Sequence, residues 1–203
     1  MVGSLSGIIL YSHMSSHHII RDEQEPALIL ADLDTFPFDL LGQLLEWAPY
    51  TVCGDSALDQ ALDYGINLDV VISSRPNLKE LLGHFPTINS HKRSTDWLSQ
   101  AIDMLVERNH QAVNIVTSDP FNEFDWMNEM SKKLLVDVIT PSRKYIRIES
   151  TISKWLPSDS ILELHGESIF INGIEVSESF TTKKEGTITV SSDHAPFIIG
   201  LSL

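Results

Sequence analysis

Cysteine occurs once in the 203 residues, at Cys53, which excludes a disulfide framework and a cluster of thiolate metal ligands. That thiol reads as a buried structural one. Long apolar runs are missing too: none approaches the roughly 20 residues needed to cross a bilayer. The short run at residues 7–11 is too brief for the core of a secretion signal, and it is flanked by His13, His17 and His18 rather than preceded by lysines. A cytoplasmic protein with no membrane partner is predicted. Basic residues are scarce, 14 Lys and Arg against 28 Asp and Glu, for a formal net charge of −14. The chain as a whole therefore repels a phosphate backbone, which argues against nucleic acid as a partner. A small anion stays open, because a cleft can be locally positive within an acidic protein. No Walker phosphate loop, dinucleotide glycine fingerprint, nucleophile elbow or zinc-protease motif occurs.

What is present is an ordinary globular composition, with 42% hydrophobic and 21% charged residues, and no segment polar enough to force disorder. By size the chain holds one large domain or one medium domain plus a small one, and two unequal domains are expected. Apolar runs at residues 7–12 and 27–31 read as strands, separated by an acidic stretch ending in Pro26. Pro37 opens a helix with Leu40, Leu41, Leu44 and Leu45 at one-turn spacing, and Pro49 closes it. A strand at 50–53 precedes a helix that starts near Asp55, carries Ala57, Leu58, Ala61 and Leu62, and stops at Gly65 in a left-handed cap. The run at 68–72 is apolar except for Asp69, as expected of a strand covered on both faces. A short helix at 78–82 and a strand at 87–89 follow. Ser94 or Thr95 then caps a long helix with Trp97, Leu98, Ala101, Ile102 and Leu105 on one face and an acidic first turn. A strand at 113–116, a helix at 123–135 and a strand at 136–139 complete the alternation.

Right-handed crossovers then imply a doubly wound, mostly parallel α/β sheet over residues 1–144. From Tyr145 the rhythm changes to short β-prone runs at 146–148, 161–164, 169–171, 187–190 and 197–201, with turns at Glu167, Asn172-Gly173 and 183–186. Residues 145–203 therefore read as a small all-β, sandwich-like domain.

Three segments of the first domain, taken in order, resemble the thiamine pyrophosphokinase family. Gly54-Asp55-Ser56-Ala57 is similar to that family's Asp-Gly-Ala turn, with Ser56 in place of glycine. Residues 65–72 match its Gly-Ile-x-x-Asp followed by an apolar strand, and Thr95-Asp96, with Lys92 upstream, matches its Thr-Asp signature and lysine. Residues 14–27 also resemble the start of a bacterial branch. The resemblance implies a nucleotide-binding domain joined to a β-sandwich that holds thiamine, in a homodimer. It implies transfer of diphosphate from ATP to thiamine with Mg2+, and as ligands ATP, thiamine or thiamine phosphates.

The loop after the strand at 68–72 departs from the pattern. Where the family carries two metal-holding aspartates, Ser73-Ser74-Arg75-Pro76-Asn77 offers Ser74 and Pro76. Magnesium keeps near-octahedral oxygen coordination from few protein carboxylates, so losing two is a large change. Asp55 and Asp96 are left as candidate metal ligands and, with Lys92 for phosphate charge, as candidate catalytic residues. Ser56, Ser73, Ser74, Arg75, Thr95 and Thr117 are the candidate nucleotide-binding residues. The family's glycine-rich turn is also replaced, by 117–126, where only Phe124-Asp125 survives and Pro120 removes a donor.

Each residue has a plainer reading beside the functional one. Asp55 and Asp96 are metal or ribose ligands, or acids favoured by a helix dipole. Arg75 clamps a phosphate in place of the metal's charge, or is a solvated loop arginine. His13 and His17 lie four apart without an evident third ligand. Trp97, Trp126 and Trp155 are core or interface aromatics, or a base-stacking shelf. Three functions stay open: a weakened or inactive thiamine pyrophosphokinase homologue, a non-catalytic nucleotide- or thiamine-binding module, and a structural dimer with a vacant pocket.

Overall fold

The computed structural model describes residues 25–84, 87–118 and 124–203. The expected strand at 7–12, the segment from 14 to 24 and the His13–His17 pair lie outside them, as does residue 123 at the start of the helix expected over 123–135.

Among the described residues, six parallel strands lie in the order β6-β5-β1-β2-β3-β4. They are β1 (Ala27–Leu30), β2 (Thr51–Gly54), β3 (Val70–Ser73), β4 (Asn89–Lys92), β5 (Ala112–Val116) and β6 (Leu135–Ile139). Period-two alternation divides every strand but β4 between two cores. Leu28, Leu30, Cys53 and Val71 face α1 (Phe38–Leu45), α2 (Leu58–Asp63) and α3 (Leu78–Leu81). Ala27, Ile29, Val52, Val70 and Ile115 face α4 (Trp97–Glu107) and α5 (Asp125–Met130). Ile102 and Leu105 on α4 are fully buried, each contributing about 1.5–3 kcal/mol. Burial of Val70, Val71 and Ile72 on both faces is as expected from the apolar run at 68–72. The α/β class is as expected.

Gly65 caps α2 at φ +66, with the Ile66 N–H donating to the Ala61 carbonyl at 2.9 Å. Several boundaries differ from expectation for local reasons. The strand expected at 68–72 begins at Val70 because the Asp69 carboxylate accepts the Thr51 N–H at 2.8 Å and sits at its mouth. The strand expected at 87–89 is instead Asn89–Lys92, a fully exposed edge whose main chain, not its side chains, pairs it with β3. The cap of α4 is neither Ser94 nor Thr95 but Asp96, whose carboxylate accepts the Ser99 N–H at 3.1 Å. The acid therefore stands at the cap, and the first turn itself carries none. Helix α5 is shorter than the run expected to reach 135, because Leu135 already pairs with Ala112 in β6.

β7 (Arg143–Ile148) reverses direction and pairs antiparallel with β6, so the C-terminal strands extend the same sheet. They are β8 (Thr151–Leu156), β9 (Ile161–Ile171), β10 (Ile174–Val176), β11 (Ser179–Thr181) and the long β12 (Gly186–Ser202). β12 pairs with β7, β8 and β9, and these strands enclose a third core that includes Leu162, Val190 and Phe197. The turn expected at Glu167 is absent: β9 runs through it, bent at Gly166 (φ +152) and Ser168 (φ +46), opposite a register shift in β12. Gly200 lies between Tyr145 and Glu163 on neighbouring strands. A β-carbon there would come within 2.7 Å of the tyrosine ring, so the glycine lets Tyr145 donate to Glu163 at 2.8 Å. Tyr145 also belongs to the core of the parallel strands, which joins the two halves of the sheet.

Candidate functional site

Strand order reverses at β1, which lies between β2 and β5, and open α/β sheets place ligands beyond the carboxyl ends of their strands. At that end β2 leads into Asp55, β3 into Ser74-Arg75, β4 into Arg93, and β5 into Thr117-Ser118. The opposite end holds a cavity of about 420 Å³, bordered by Phe38, Tyr64 and Thr51. Its one ionisable carboxylate, Asp69, is already taken by a backbone N–H. Chemistry is therefore concentrated at the carboxyl end.

Asp55 is the centre of a hydrogen-bonded cluster there. Its Oδ1 accepts the Ser73 hydroxyl, while its Oδ2 accepts the Ser74 N–H and hydroxyl, each at 3.1 Å, and Arg93 Nη1 at 3.3 Å. Ser73 is buried at the end of β3, and its hydroxyl oxygen also accepts the Arg75 N–H at 3.0 Å, which closes the turn. Arg75 reaches back across the loop. Its Nη1 and Nη2 donate to the two oxygens of Asp59, on the first turn of α2, at 2.6 and 3.0 Å. The same Nη2 donates to the Asp55 carbonyl at 2.7 Å, and Nε lies 3.6 Å from Asp55 Oδ1.

Burial works to raise the Asp55 carboxyl, but the hydrogen bonds from Ser73, Ser74 and Arg93 outweigh it and hold the group below the ordinary carboxylate range. Arg75 likewise lowers Asp59, chiefly through its hydrogen bonds. A depressed carboxyl contributes stability that is present above the unfolded value, near pH 4, and lost as pH falls through the folded value. The stability gap between the wild type and Asp55→Asn is therefore expected to narrow from about pH 6 to about pH 3 in urea-unfolding midpoints. A gap independent of pH would contradict this account of the cluster.

Arg93 sits on Trp97. Its guanidinium carbon lies 5.9 Å from the indole centroid, within cation–π range. Gly54 admits that indole: a β-carbon on Gly54 would lie 2.5 Å from Trp97 Cη2. Trp97 is thus partly a core residue, packed against the larger cluster, and partly the shelf of a site arginine.

Of the residues singled out from sequence, Asp55, Ser73, Ser74 and Arg75 come together in this cluster. Ser56 follows Asp55 and is exposed, and Lys92 ends β4 opposite Ser73, also exposed. Thr95 is exposed in the bend before α4, where Asp96 caps the helix with both carboxylate oxygens on Ser99. Thr117 is buried two strands from Asp55, its N–H donating to the Ile139 carbonyl at 3.1 Å. Arg93 and Asp59 were missed. Arg93 adjoins Lys92 and Asp59 lies one helical turn beyond Asp55, but neither spacing reveals which charge meets which.

These residues do not fit magnesium. Both Asp55 oxygens are hydrogen-bonded, two guanidinium groups stand where an incoming cation would, and the Asp96 carboxylate is committed to Ser99. Among the described residues no three His, Cys, Asp or Glu converge as a metal set. The donor chemistry suits an anion.

No family model and no curated protein matches this sequence. Solved structures do resemble the fold. The chain is similar to thiamine pyrophosphokinase from Bacillus subtilis at 12% identity and a TM-score of 0.61, over 88% of this chain and 99% of that one. It is similar to a thiamin pyrophosphokinase family protein from Enterococcus faecalis at 14% and 0.61, over 88% and 99%. It is also similar to thiamin pyrophosphokinase from Candida albicans at 11% and 0.62, over 88% and 89%. At such identities the likeness is one of fold, and the fold is that of the thiamine pyrophosphokinases.

Proposed function

We propose that this chain binds a phosphorylated small molecule, a nucleotide or a thiamine compound, at the carboxyl ends of β2, β3 and β4. In this reading it is a thiamine pyrophosphokinase homologue in which transfer of diphosphate from ATP to thiamine is weakened or lost. The observation that carries the reading is Arg75: a guanidinium joined to Asp59 and Asp55 occupies the loop where the resembled family holds its two metal-binding aspartates. Ser56, Ser73, Ser74, Arg75, Thr95 and Thr117 are the proposed ligand-facing positions. Any residual transfer would draw on Asp55, Asp96 and Lys92. Residues 1–144 form the proposed nucleotide-binding part and 145–203 the proposed thiamine-holding part, in a cytoplasmic homodimer. Among the described residues no helix is long and apolar enough to cross a membrane.

AMP release from ATP and thiamine at high magnesium is the direct test of the transfer, and a signal at background is expected. ATP or thiamine diphosphate is expected to raise the melting temperature, since ligand at about 100 times Kd adds about 2.7 kcal/mol to the native state. Vigorous AMP release would overturn the loss of transfer. No stabilisation by any nucleotide or thiamine derivative would leave the structural dimer in its place.

A further inference from the structure

We infer that the cluster at the carboxyl ends of β2, β3 and β4 holds the phosphate of its ligand directly on Arg75 and Arg93, without a divalent ion, and that Asp59 is a stand-in carboxylate that the incoming phosphate displaces. This rests on the proposed function for the presence of a phosphorylated ligand; the metal independence and the displacement come from the side chains.

Arg75 engages Asp59 through two parallel N–H···O contacts, at 2.6 and 3.0 Å. A guanidinium fork makes the same two-point contact with a pair of phosphate oxygens. Asp59 has no other described side-chain partner, and its side chain is 69% exposed, so it can swing into water. Arg75 does not depend on it for position. The contact from Nη2 to the Asp55 carbonyl at 2.7 Å and the approach of Nε to Asp55 Oδ1 at 3.6 Å hold the fork after Asp59 leaves.

Arg93 brings the second charge. One N–H meets Asp55 Oδ2 at 3.3 Å, and the remaining guanidinium donors have no partner among the described residues. Both guanidinium groups address the same carboxylate, Arg75 at Oδ1 and Arg93 at Oδ2, so a single phosphate or diphosphate can span them. Asp55 organises the pair without repelling the ligand strongly, because Arg75 and Arg93 offset its charge while Ser73 and Ser74 hydrogen-bond its oxygens. The exposed ammonium of Lys92, at the end of the neighbouring strand, adds to the positive field.

The test is calorimetric titration of the full chain with inorganic pyrophosphate, ATP and thiamine diphosphate, each in EDTA and in magnesium. Pyrophosphate is expected to bind in EDTA within about twofold of its affinity in magnesium, and Arg75→Gln and Arg93→Gln each to weaken it at least about tenfold. Arg75→Lys, which keeps the charge and loses the fork, is expected to fall between. Asp59→Asn is the discriminating variant: releasing the fork tightens binding several-fold, whereas a merely structural ion pair predicts weaker or unchanged binding. Binding of all three probes that requires magnesium, or an Asp59→Asn variant that binds no more tightly than the wild type, overturns the inference. Pyrophosphate bound in EDTA with neither ATP nor thiamine diphosphate bound at all sustains the anion site and overturns the proposed ligand class. ATP bound only with magnesium does the reverse, and no binding of any probe removes both.

Discussion

Joining Ser74→Asp, Arg75→Phe and Pro76→Asp in one variant is expected to create a magnesium dependence, with ATP bound at least about tenfold more tightly in magnesium than in EDTA and the unmodified chain expected to show no such difference. Removing Arg75 takes away the fork on Asp59 and the guanidinium beside Asp55 Oδ1. Ser74→Asp brings an acceptor beside Asp55, where the Ser74 hydroxyl now donates at 3.1 Å. Three neighbouring carboxylates repel one another when empty, and a hard divalent ion relieves that repulsion. The variant should therefore melt below the wild type in EDTA and regain stability as magnesium is added, a response independent of any turnover. Arg93 remains 3.3 Å from Asp55 Oδ2 in the variant, so a fourth change, Arg93→Ser, is expected to enlarge the effect. A metal response identical to the wild type's would shift the explanation to the segment after Val116, where residues 117–126 include no glycine to let a backbone approach phosphate.

The contrast between what was legible and what was not follows from the range of the interactions involved. The α/β alternation could be read because Leu28, Ile29 and Leu30, or Val70, Val71 and Ile72, are buried on both faces and must be apolar throughout. β4 was misplaced because Asn89-Ser90-His91-Lys92 has no apolar residue to bury, and its strand state comes from main-chain pairing with β3. β8 gives little sequence signal because it pairs with β12 and leaves most of its side chains exposed, burying only Leu156. The turn expected at Glu167 does not form because Gly166 bends β9 around Phe197 without ending it. At the site, the altered loop was plain from residue types alone. Its electrostatic meaning was not, since Arg75 meets Asp59 across 16 residues and Arg93 meets Asp55 across 38, and only the parallel packing of β2, β3 and β4 makes those encounters.

Gly54→Val is the substitution expected to show most directly that stability and ligand binding share one contact. A β-carbon at Gly54 would fall 2.5, 2.8 and 2.9 Å from three atoms of the Trp97 ring, closer than van der Waals contact allows. Gly54 lies in β2 and pairs with Ile72, so the backbone is held and the indole must swing away. Trp97 is the first residue of α4 and packs on the core that contains Ala101 and Ile102. Its displacement should cost about 1–3 kcal/mol, a fall in melting temperature of roughly 2–12 °C for a chain of this size. The Arg93 guanidinium, 5.9 Å from that ring, loses its support in the same step, so pyrophosphate affinity should drop along with stability. Adding Trp97→Leu to Gly54→Val restores room at Gly54 but not the aromatic shelf. The double variant is therefore expected to recover melting temperature while leaving binding weak, a positive coupling in one readout and none in the other. Recovery of both together would mean that Trp97 acts on Arg93 only through packing, and an unperturbed Gly54→Val would remove the shelf from the account of the site.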